Sequence, residues 1–505
     1  MPVVAARLLQ DLRRQVRSLE DDLRVRAREV PEMDAELRAE YARGRQAGRV
    51  GDAFETWRDE VLTQAAVHWV LGCVFVRFLE DNELLPMPLL AGPGARARLA
   101  ADQHTLFFRQ TEHRTSNDRE YLRHAFGTVA ALPSGERLFD RAHNPVWTFG
   151  ISADAARDLL GFWRKVDPDT GELVHDFTDA SWDTRYLGDL YQDLSDAAKS
   201  KYALLQTPVF VEEFILDRTL EPALNEFGLA EVRMIDPTCG SGHFLLGAFE
   251  RLLRMWQHRE PATVERVLVQ RALDAVNGVD INPFAVAIAR FRLLIAALKA
   301  SRVTRLSHAP NFRIHVATGD SLLFGTREGE LALGGTAAEL SHRGIAFHSE
   351  DADDVDRILS RSYHAVVGNP PYITMRDAAL NQSYRKLYRT CYRQYALSVP
   401  FIERFWQLGL QGQNGGGGFV GMINANSFMK REFGKKVVEE FFPTVDLTHV
   451  INTDGAYIPG HGTPTVILLG RTRRPVSRSV RSVMGKKGEP GTPFDAAAVK
   501  CGRRS

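Results

Sequence analysis

Two rhythms of apolar and polar positions divide the chain. In the first, Ala5, Leu9, Leu12, Val16, Leu19 and Leu23 recur at alternating spacings of four and three, with Arg, Asp, Glu and Gln between them. Such a seam predicts a helix that is short for an independent coiled coil, packed on its own domain or on a partner helix. Ala65 to Leu85, "AAVHWVLGCVFVRFLEDNELL", is apolar on nearly every side and predicts a buried core helix. Turn-rich stretches at Pro133 to Pro145 and Asp167 to Gly171 interrupt the helical pattern.

The second rhythm starts near residue 201. Short β-prone runs lie at Glu231 to Ile235, Ala275 to Val279, Phe312 to Ala317, His364 to Gly368, Gly417 to Ile423, Val445 to Ile451 and Pro464 to Gly470. Helical patterns at Phe244 to Gln257, Pro283 to Ala300 and Pro400 to Gln411 fall between several of them. Strands alternating with helices predict an α/β fold with a mostly parallel sheet. The expected layout is a mainly α-helical N-terminal domain over residues 1–200 and an α/β domain over 201–472. A basic irregular tail would follow over 473–505.

Composition narrows the picture only a little. The chain has 505 residues, 25% charged and 44% hydrophobic, enough for sizeable cores. Its formal net charge is +1, so any surface for nucleic acid has to be local. Cys73, Cys239, Cys391 and Cys501 stand far apart, with no Cys/His cluster at zinc-ligand spacing. That pattern argues against a disulfide framework or a structural zinc and fits a reducing cytoplasm. No uninterrupted apolar run reaches the ~18 residues of a membrane span, and the N-terminus lacks a signal peptide's apolar stretch. A cytoplasmic protein without membrane contact is expected.

The candidate chemistry sits at the ends of the β-prone runs. "MIDPTCGSGHFLLGAF" closes a strand with Asp236, turns through Gly240 and Gly242, and opens a helix at Phe244. Glycines let a backbone approach a ligand, and the helix start adds N–H donors. There is no Lys-Ser/Thr of a P-loop, and the acid at the loop's start suits a ligand carrying an ammonium group better than a pyrophosphate. The next strand ends at Asp280-Ile281, where a carboxylate can accept both hydroxyls of a ribose or serve as a helix N-cap ahead of Pro283. A third strand ends at Asp320, and a fourth at "NPPY", Asn369-Pro370-Pro371-Tyr372. Two successive prolines remove backbone donors and fix φ, which makes that turn rigid.

In this order the motifs resemble those of S-adenosylmethionine-dependent adenine-N6 DNA methyltransferases of the gamma arrangement, in which the cofactor motifs precede NPPY. "TPVFVEEFIL", Thr207 to Leu216, resembles the family's motif upstream of the glycine loop, and "GGGGFVGMINANSFMKREFGKKVVEEF" and "YIPGHGTPTVILLGR" resemble its later motifs. The likeness spans Ala203 to Arg471. With the helical opening included, the chain resembles the adenine methyltransferases of phage-growth-limitation and BREX phage-exclusion systems. The resemblance implies a Rossmann-like methyltransferase domain that binds S-adenosylmethionine through Thr207, Pro208, Asp236, Gly240, Gly242, Phe244, Asp280, Ile281 and Asp320. It implies catalysis at Asn369, Pro370, Pro371 and Tyr372, with Tyr372 stacked on an adenine flipped out of double-stranded DNA. Neither a metal nor a cysteine nucleophile is required, and Cys239 reads as a small packing residue.

Relatives of this kind continue into a target-recognition domain, so the tail is expected to be the cut-short start of one, or the chain a subunit whose specificity half is a separate protein. Other phage-defence proteins are further candidate partners. Tyr384, Tyr388, Tyr392 and Tyr395, interleaved with Arg385, Lys386, Arg389 and Arg393, form either a nucleic-acid surface or a packed aromatic face with solvated arginines. A nuclease of the PD-(D/E)xK type is disfavoured in the first 200 residues. Lys165 and Lys199 are the only lysines there, and Trp163 and Ala197 occupy the positions where an acid is needed. Methylation of a protein glutamine and a non-catalytic scaffold are the rival readings.

Overall fold

The computed structural model describes residues 2–188, 194, 207–325, 347–412, 416–453 and 463–485. The expected domain boundary near 200, the motif residues 457–462 and Cys501 lie outside them. All seven expected strands form: β1 Met234–Asp236, β2 Val276–Asp280, β3 His315–Thr318, β4 Ala365–Gly368, β5 Phe419–Ala425, β6 Asp446–Asn452 and β7 Thr465–Arg471. An eighth, β8 Arg481–Met484, lies in the stretch read as an irregular tail. It pairs parallel to β6 at the sheet edge, with all four residues exposed. Its sequence, Arg-Ser-Val-Met, carries neither an apolar run nor an alternation, and it pairs at the open edge of β6.

The sheet runs β3-β2-β1-β4-β5-β7-β6-β8. β1 to β5 are parallel throughout, and β7 enters antiparallel between β5 and β6. The order reverses at β1, whose neighbours are β2 and β4, so a crevice opens there at the carboxyl ends of the strands. Alternation along the strands feeds two cores. Met234, Ala365 and Val367 face one, while Ile235, Val366 and Val420 face the other. Both faces are covered, which is why these strands read as unbroken apolar runs.

The first core continues without a break into the N-terminal helices. Phe75 stacks on Phe291 of the helix Pro283–Ala300, with ring centroids 4.3 Å apart, and Phe78 meets the same ring edge-on. The opening helix Pro2–Glu29 packs on the helix Phe54–Asp81, so the seam faces its own chain. Leu12, Val16, Leu19 and Leu23 are buried as expected, but Leu8 rather than Leu9 continues the seam. A straight helix repeats every 3.6 residues, so the buried stripe drifts off a strict heptad.

Phe54–Asp81 is, among the described residues, the one helix long and apolar enough to cross a membrane, yet 89% of its most apolar window is buried inside the protein. It also carries a buried ionic cluster. The Arg77 guanidinium, fully buried, lies 3.1 Å from Glu80 and 2.7 Å from Asp81, and donates to the carbonyls of Trp163 and His175. Glu80 accepts the amides of Leu89, Leu90 and Ala91, which organises the loop after the helix. Burial raises both acids, Asp81 to about 6, and Arg77 opposes the rise. Arg77→Ala is expected to lower stability by about 3–5 kcal/mol, because two buried acids lose their cation; urea unfolding of the two proteins measures it.

Candidate active site at the carboxyl edge of the sheet

The loops at the strand ends are stitched to one another by short backbone bonds. The Cys239 amide donates to the Val279 carbonyl, the Gly319 amide to the Asp280 carbonyl, and the Ser321 hydroxyl to the Pro237 carbonyl. Gly240 and Gly242 adopt φ of +51° and +86°, and Gly242 starts the helix His243–Arg259 from the left-handed region. Cys239 is buried against Gly278, where a Cβ would come within 3.1 Å of its Sγ, and burial pushes its thiol well up. The packing reading of Cys239 fits this placement.

Three acids lie at this edge, as the spacing implied. Asp236 ends β1, and its Oδ1 accepts from the Thr238 amide at 2.9 Å and the Thr238 hydroxyl at 3.2 Å. Asp280 ends β2; Oδ2 accepts from the Gly240 amide and Oδ1 from the Asn282 amide, both at 2.9 Å. The cap of the following helix is Asn282, whose side chain accepts from the Phe284 amide. The N-cap alternative for Asp280 is thereby corrected: Asn282 is one residue from Pro283, and Asp280 instead ties the glycine loop to β2.

Asp320 is buried two residues past β3, accepting from the Leu322 amide at 2.9 Å and from the Tyr384 hydroxyl at 2.6 Å. Burial raises all three carboxyls, Asp236 to about 8 and Asp280 to about 6. For Asp320 the positive charge of Arg49 opposes the rise, whereas Asp236 is pushed further up by Asp280.

The Asn-Pro-Pro-Tyr turn leaves β4 beside Asp236. A Cβ on Gly368 would lie 2.5 Å from Asp236 Oδ1, so only glycine lets the turn pass the carboxylate. Asn369 donates through Nδ2 to Thr207 Oγ1 at 3.2 Å and accepts at Oδ1 from the Tyr372 hydroxyl at 2.7 Å. Thr207 therefore meets the turn across 162 residues of sequence, and Pro208 caps the helix Val209–Phe227 that follows it. Pro370 is buried, Pro371 and Tyr372 are half-buried, and burial raises the Tyr372 phenol. Phe244 packs into the core at 2% exposure, supporting the glycine loop from below. Ile281 is 40% exposed and lines a cavity of about 160 Å³ together with Trp57, Gln64, Phe347 and Glu350.

Sequence reasoning missed the wall of that cavity. Arg49, from the N-terminal region, makes a buried two-pronged pair with Glu350 (2.5 and 2.8 Å). Tyr384 was legible as an aromatic but not as the donor to Asp320. Its neighbours correct the nucleic-acid alternative in part. Tyr384, Tyr388 and Tyr395 are each 1% exposed and belong to the second core, while Arg385, Lys386, Arg389 and Arg393 face outward. Among the described residues one group, Asp140, His143 and Asp351, gathers ligand-type atoms within 4.8 Å of one another. Its acids already have partners, His143 at 2.6 Å from Asp140 and Arg137 at 3.0 Å from Asp351.

This sheet and its strand-end site define a class: a Rossmann-like methyltransferase fold. The cryomicroscopy structure of the DrdV–DNA complex shares the fold with a TM-score of 0.55 at 13% identity, over 96% of this chain and 43% of that one. Residues 274–457 match the Eco57I restriction-modification methylase family. The chain is similar to the adenine-specific methyltransferase PglX of Streptomyces coelicolor, 51% identical over 512 aligned residues that cover 97% of this chain. It is 27% identical to the type II methyltransferase M.PaeR7I of Pseudomonas aeruginosa over 57% of its length. The chain spans 42% of the first relative and 46% of the second.

The raised carboxyls set a pH dependence for the cofactor-free protein. Their folded values lie above the ~3.8–4 of an unfolded chain, so the folded state holds extra protons and stability falls as pH rises from about 4 to about 8. Asp236→Asn is expected to flatten that decline and to raise Tm at pH 8 by about 2 °C or more. Melts of both proteins at pH 5 and pH 8 check it.

Proposed function

We propose that this chain is the cofactor-binding and catalytic part of an S-adenosylmethionine-dependent DNA methyltransferase acting on the N6 amine of adenine, in phage defence or restriction-modification. The observation that carries the reading is the meeting of Thr207, Asn369 and Tyr372 beside Asp236, at the crevice where the strand order reverses. The likeness to an adenine-specific methyltransferase over 97% of the chain favours adenine over a protein glutamine amide.

The residues fit the cofactor. Asp236 is buried and Asp280 half-buried, with no basic side chain among the groups that shift them, an arrangement suited to a ligand bearing positive charge and hydroxyl donors. Asp280 would take the ribose hydroxyls, Ile281 offers an exposed apolar face to the adenine ring, and Gly240 and Gly242 admit the methionine end close to the backbone. Bound S-adenosylmethionine supplies an electrophilic methyl group.

The protein's own part is orientation. Adenine N6 is a weak nucleophile because its lone pair is delocalised into the ring. Acceptors aimed at its protons, Asn369 Oδ1 and the Pro370 carbonyl, would localise that pair toward the methyl group that the bound cofactor would present. Thr207 holds the Nδ2 end of Asn369, which leaves Oδ1 toward Tyr372, and the incoming amine takes over the bond that the tyrosine hydroxyl makes there. Pro370 and Pro371 keep the turn rigid, so little reorganisation accompanies the reaction. Tyr372 then stacks on the extruded base.

The test is calorimetric binding of S-adenosylmethionine together with labelled methyl transfer to duplex DNA. Asn369→Ala is expected to keep cofactor binding while transfer falls by about 10²–10³. Asp280→Ala is expected to lose binding and transfer together. Failure of the folded wild-type chain to bind the cofactor would reject the catalytic reading in favour of a scaffold. In the wild type, binding should weaken below about pH 8 as Asp236 takes up a proton, and more steeply below about pH 6 as Asp280 does, because the protonated acids can neither face positive charge nor accept both hydroxyls.

A further inference from the structure

The net charge of +1 conceals a local excess of cations around the Asn-Pro-Pro-Tyr turn. β4 and β5 are parallel neighbours, so the segment leaving β5 emerges at the same sheet edge as Asn369. That segment, residues 426–436, presents Lys430, Arg431 and Lys435 exposed and Lys436 half-exposed, with Glu432 as its acid. On the other side the chain leaves the turn and carries Arg376, Arg385, Lys386, Arg389 and Arg393, all exposed, against one half-exposed acid, Asp377.

The two basic segments meet. Arg393 pairs with Glu432 at 2.7 Å, and Lys436 lies 5.7 Å from the ring of Tyr392. The first of them in the chain is tied back to the turn. The Leu397 amide donates to the Ile373 carbonyl, one residue beyond Tyr372, and Thr374 bridges to Ala396. The buried faces of Tyr384, Tyr388 and Tyr395 hold the first segment against the second core and turn its arginines outward. Counting the exposed Glu439, which lies 3.8 Å from Lys435, and Glu440 just beyond the second segment, nine cations face four acids, still far from the near-balance of 64 to 63 in the whole chain.

We propose that these two segments form a basic clamp for the backbone of duplex DNA, gripping phosphates beside the turn that receives the base. This rests on the proposed reading in taking DNA as the substrate. Charges spaced over exposed side chains, Arg389 among them donating to the Thr444 hydroxyl at 2.9 Å, suit phosphates rather than base edges, so the clamp sets affinity and position and does not read sequence. The half-exposed Tyr392 ring, between Arg393 and Lys436, is the one aromatic of the four tyrosines placed on this surface.

The experiment is fluorescence anisotropy of a labelled duplex with the full 505-residue chain, at salt from 50 to 200 mM (roughly the range in which phosphate contacts are resolved) and without cofactor. The test variants are Arg385→Gln/Lys386→Gln and Arg431→Gln/Lys435→Gln. The control is Arg14→Gln/Arg157→Gln, whose side chains are each 65% exposed on the N-terminal helices. Each test pair is expected to weaken binding about tenfold or more and to reduce the salt slope by up to about 2, at ~0.9 per lost phosphate contact. The control should bind as the wild type does, and all variants should keep S-adenosylmethionine binding.

Three results would overturn the clamp: test pairs that bind DNA like the control, a control that loses as much as the test pairs, or a wild type that prefers a single-stranded RNA of equal length. Cofactor binding and methyl transfer by the wild type are measured separately. A wild type that binds duplex through these residues yet transfers no methyl group rejects the catalytic reading and leaves the clamp standing.

Discussion

Everything at the site depends on three carboxyls at the tips of neighbouring parallel strands, Asp236 and Asp320 buried and Asp280 half-buried. Parallel pairing of β1, β2 and β3 puts their carboxyl ends at one edge, so Asp236, Asp280 and Asp320 cannot avoid sharing it. Two of them ionise only at a cost, since burial raises both and Asp280 repels Asp236. Backbone amides of Thr238, Gly240 and Asn282 offset part of that cost. A ligand with positive charge and hydroxyl donors relieves the remainder. On the proposed cofactor assignment, the cost of ionising these acids lies where the ligand would bind, and binding and folding would be coupled through the same two side chains.

Asp320 is treated differently, and the N-terminal region is the reason. Arg49 lies near enough to lower its cost, and it is itself fastened by Glu350 and covered by Phe347 at 4.4 Å. The helical part of the chain thus does more than sit beside the sheet. It shares a continuous core through Phe75 and Phe291, and it walls the cavity onto which Ile281 opens. Separating the two parts would expose a large apolar face and strip Asp320 of its nearby cation.

Much of this was legible residue by residue. Short unbroken β-prone runs located seven strands, several of them ended by Asp, Gly or Asn-Pro, because strands covered on both faces leave a strong local signal. The rigid turn and the left-handed glycines were legible for the same reason: φ preferences are local. Thr207 was recognisable only by its likeness to a known motif, and its hydrogen bond to Asn369 was not. The tyrosine stretch left two readings open because the spacing of four rings does not say what covers them, and the helix Ala378–Leu387 that carries Tyr384 ends before the other three. β8 escaped because its residues carry no apolar run.

What the sequence by itself determined is the order of strand tips and the chemistry at each: an acid, an acid, an acid, then an amide on a rigid turn. Those follow from local propensity and from the residue types alone. Tertiary structure decided the partners. Tyr384 reaches Asp320 across 64 residues, Thr207 reaches Asn369 across 162, and Glu350 reaches Arg49 across 301. Such pairings arise from packing of elements remote in the chain, where any of several polar residues could have supplied the bond. No local pattern distinguishes them until the sheet order and the two cores bring the segments into contact.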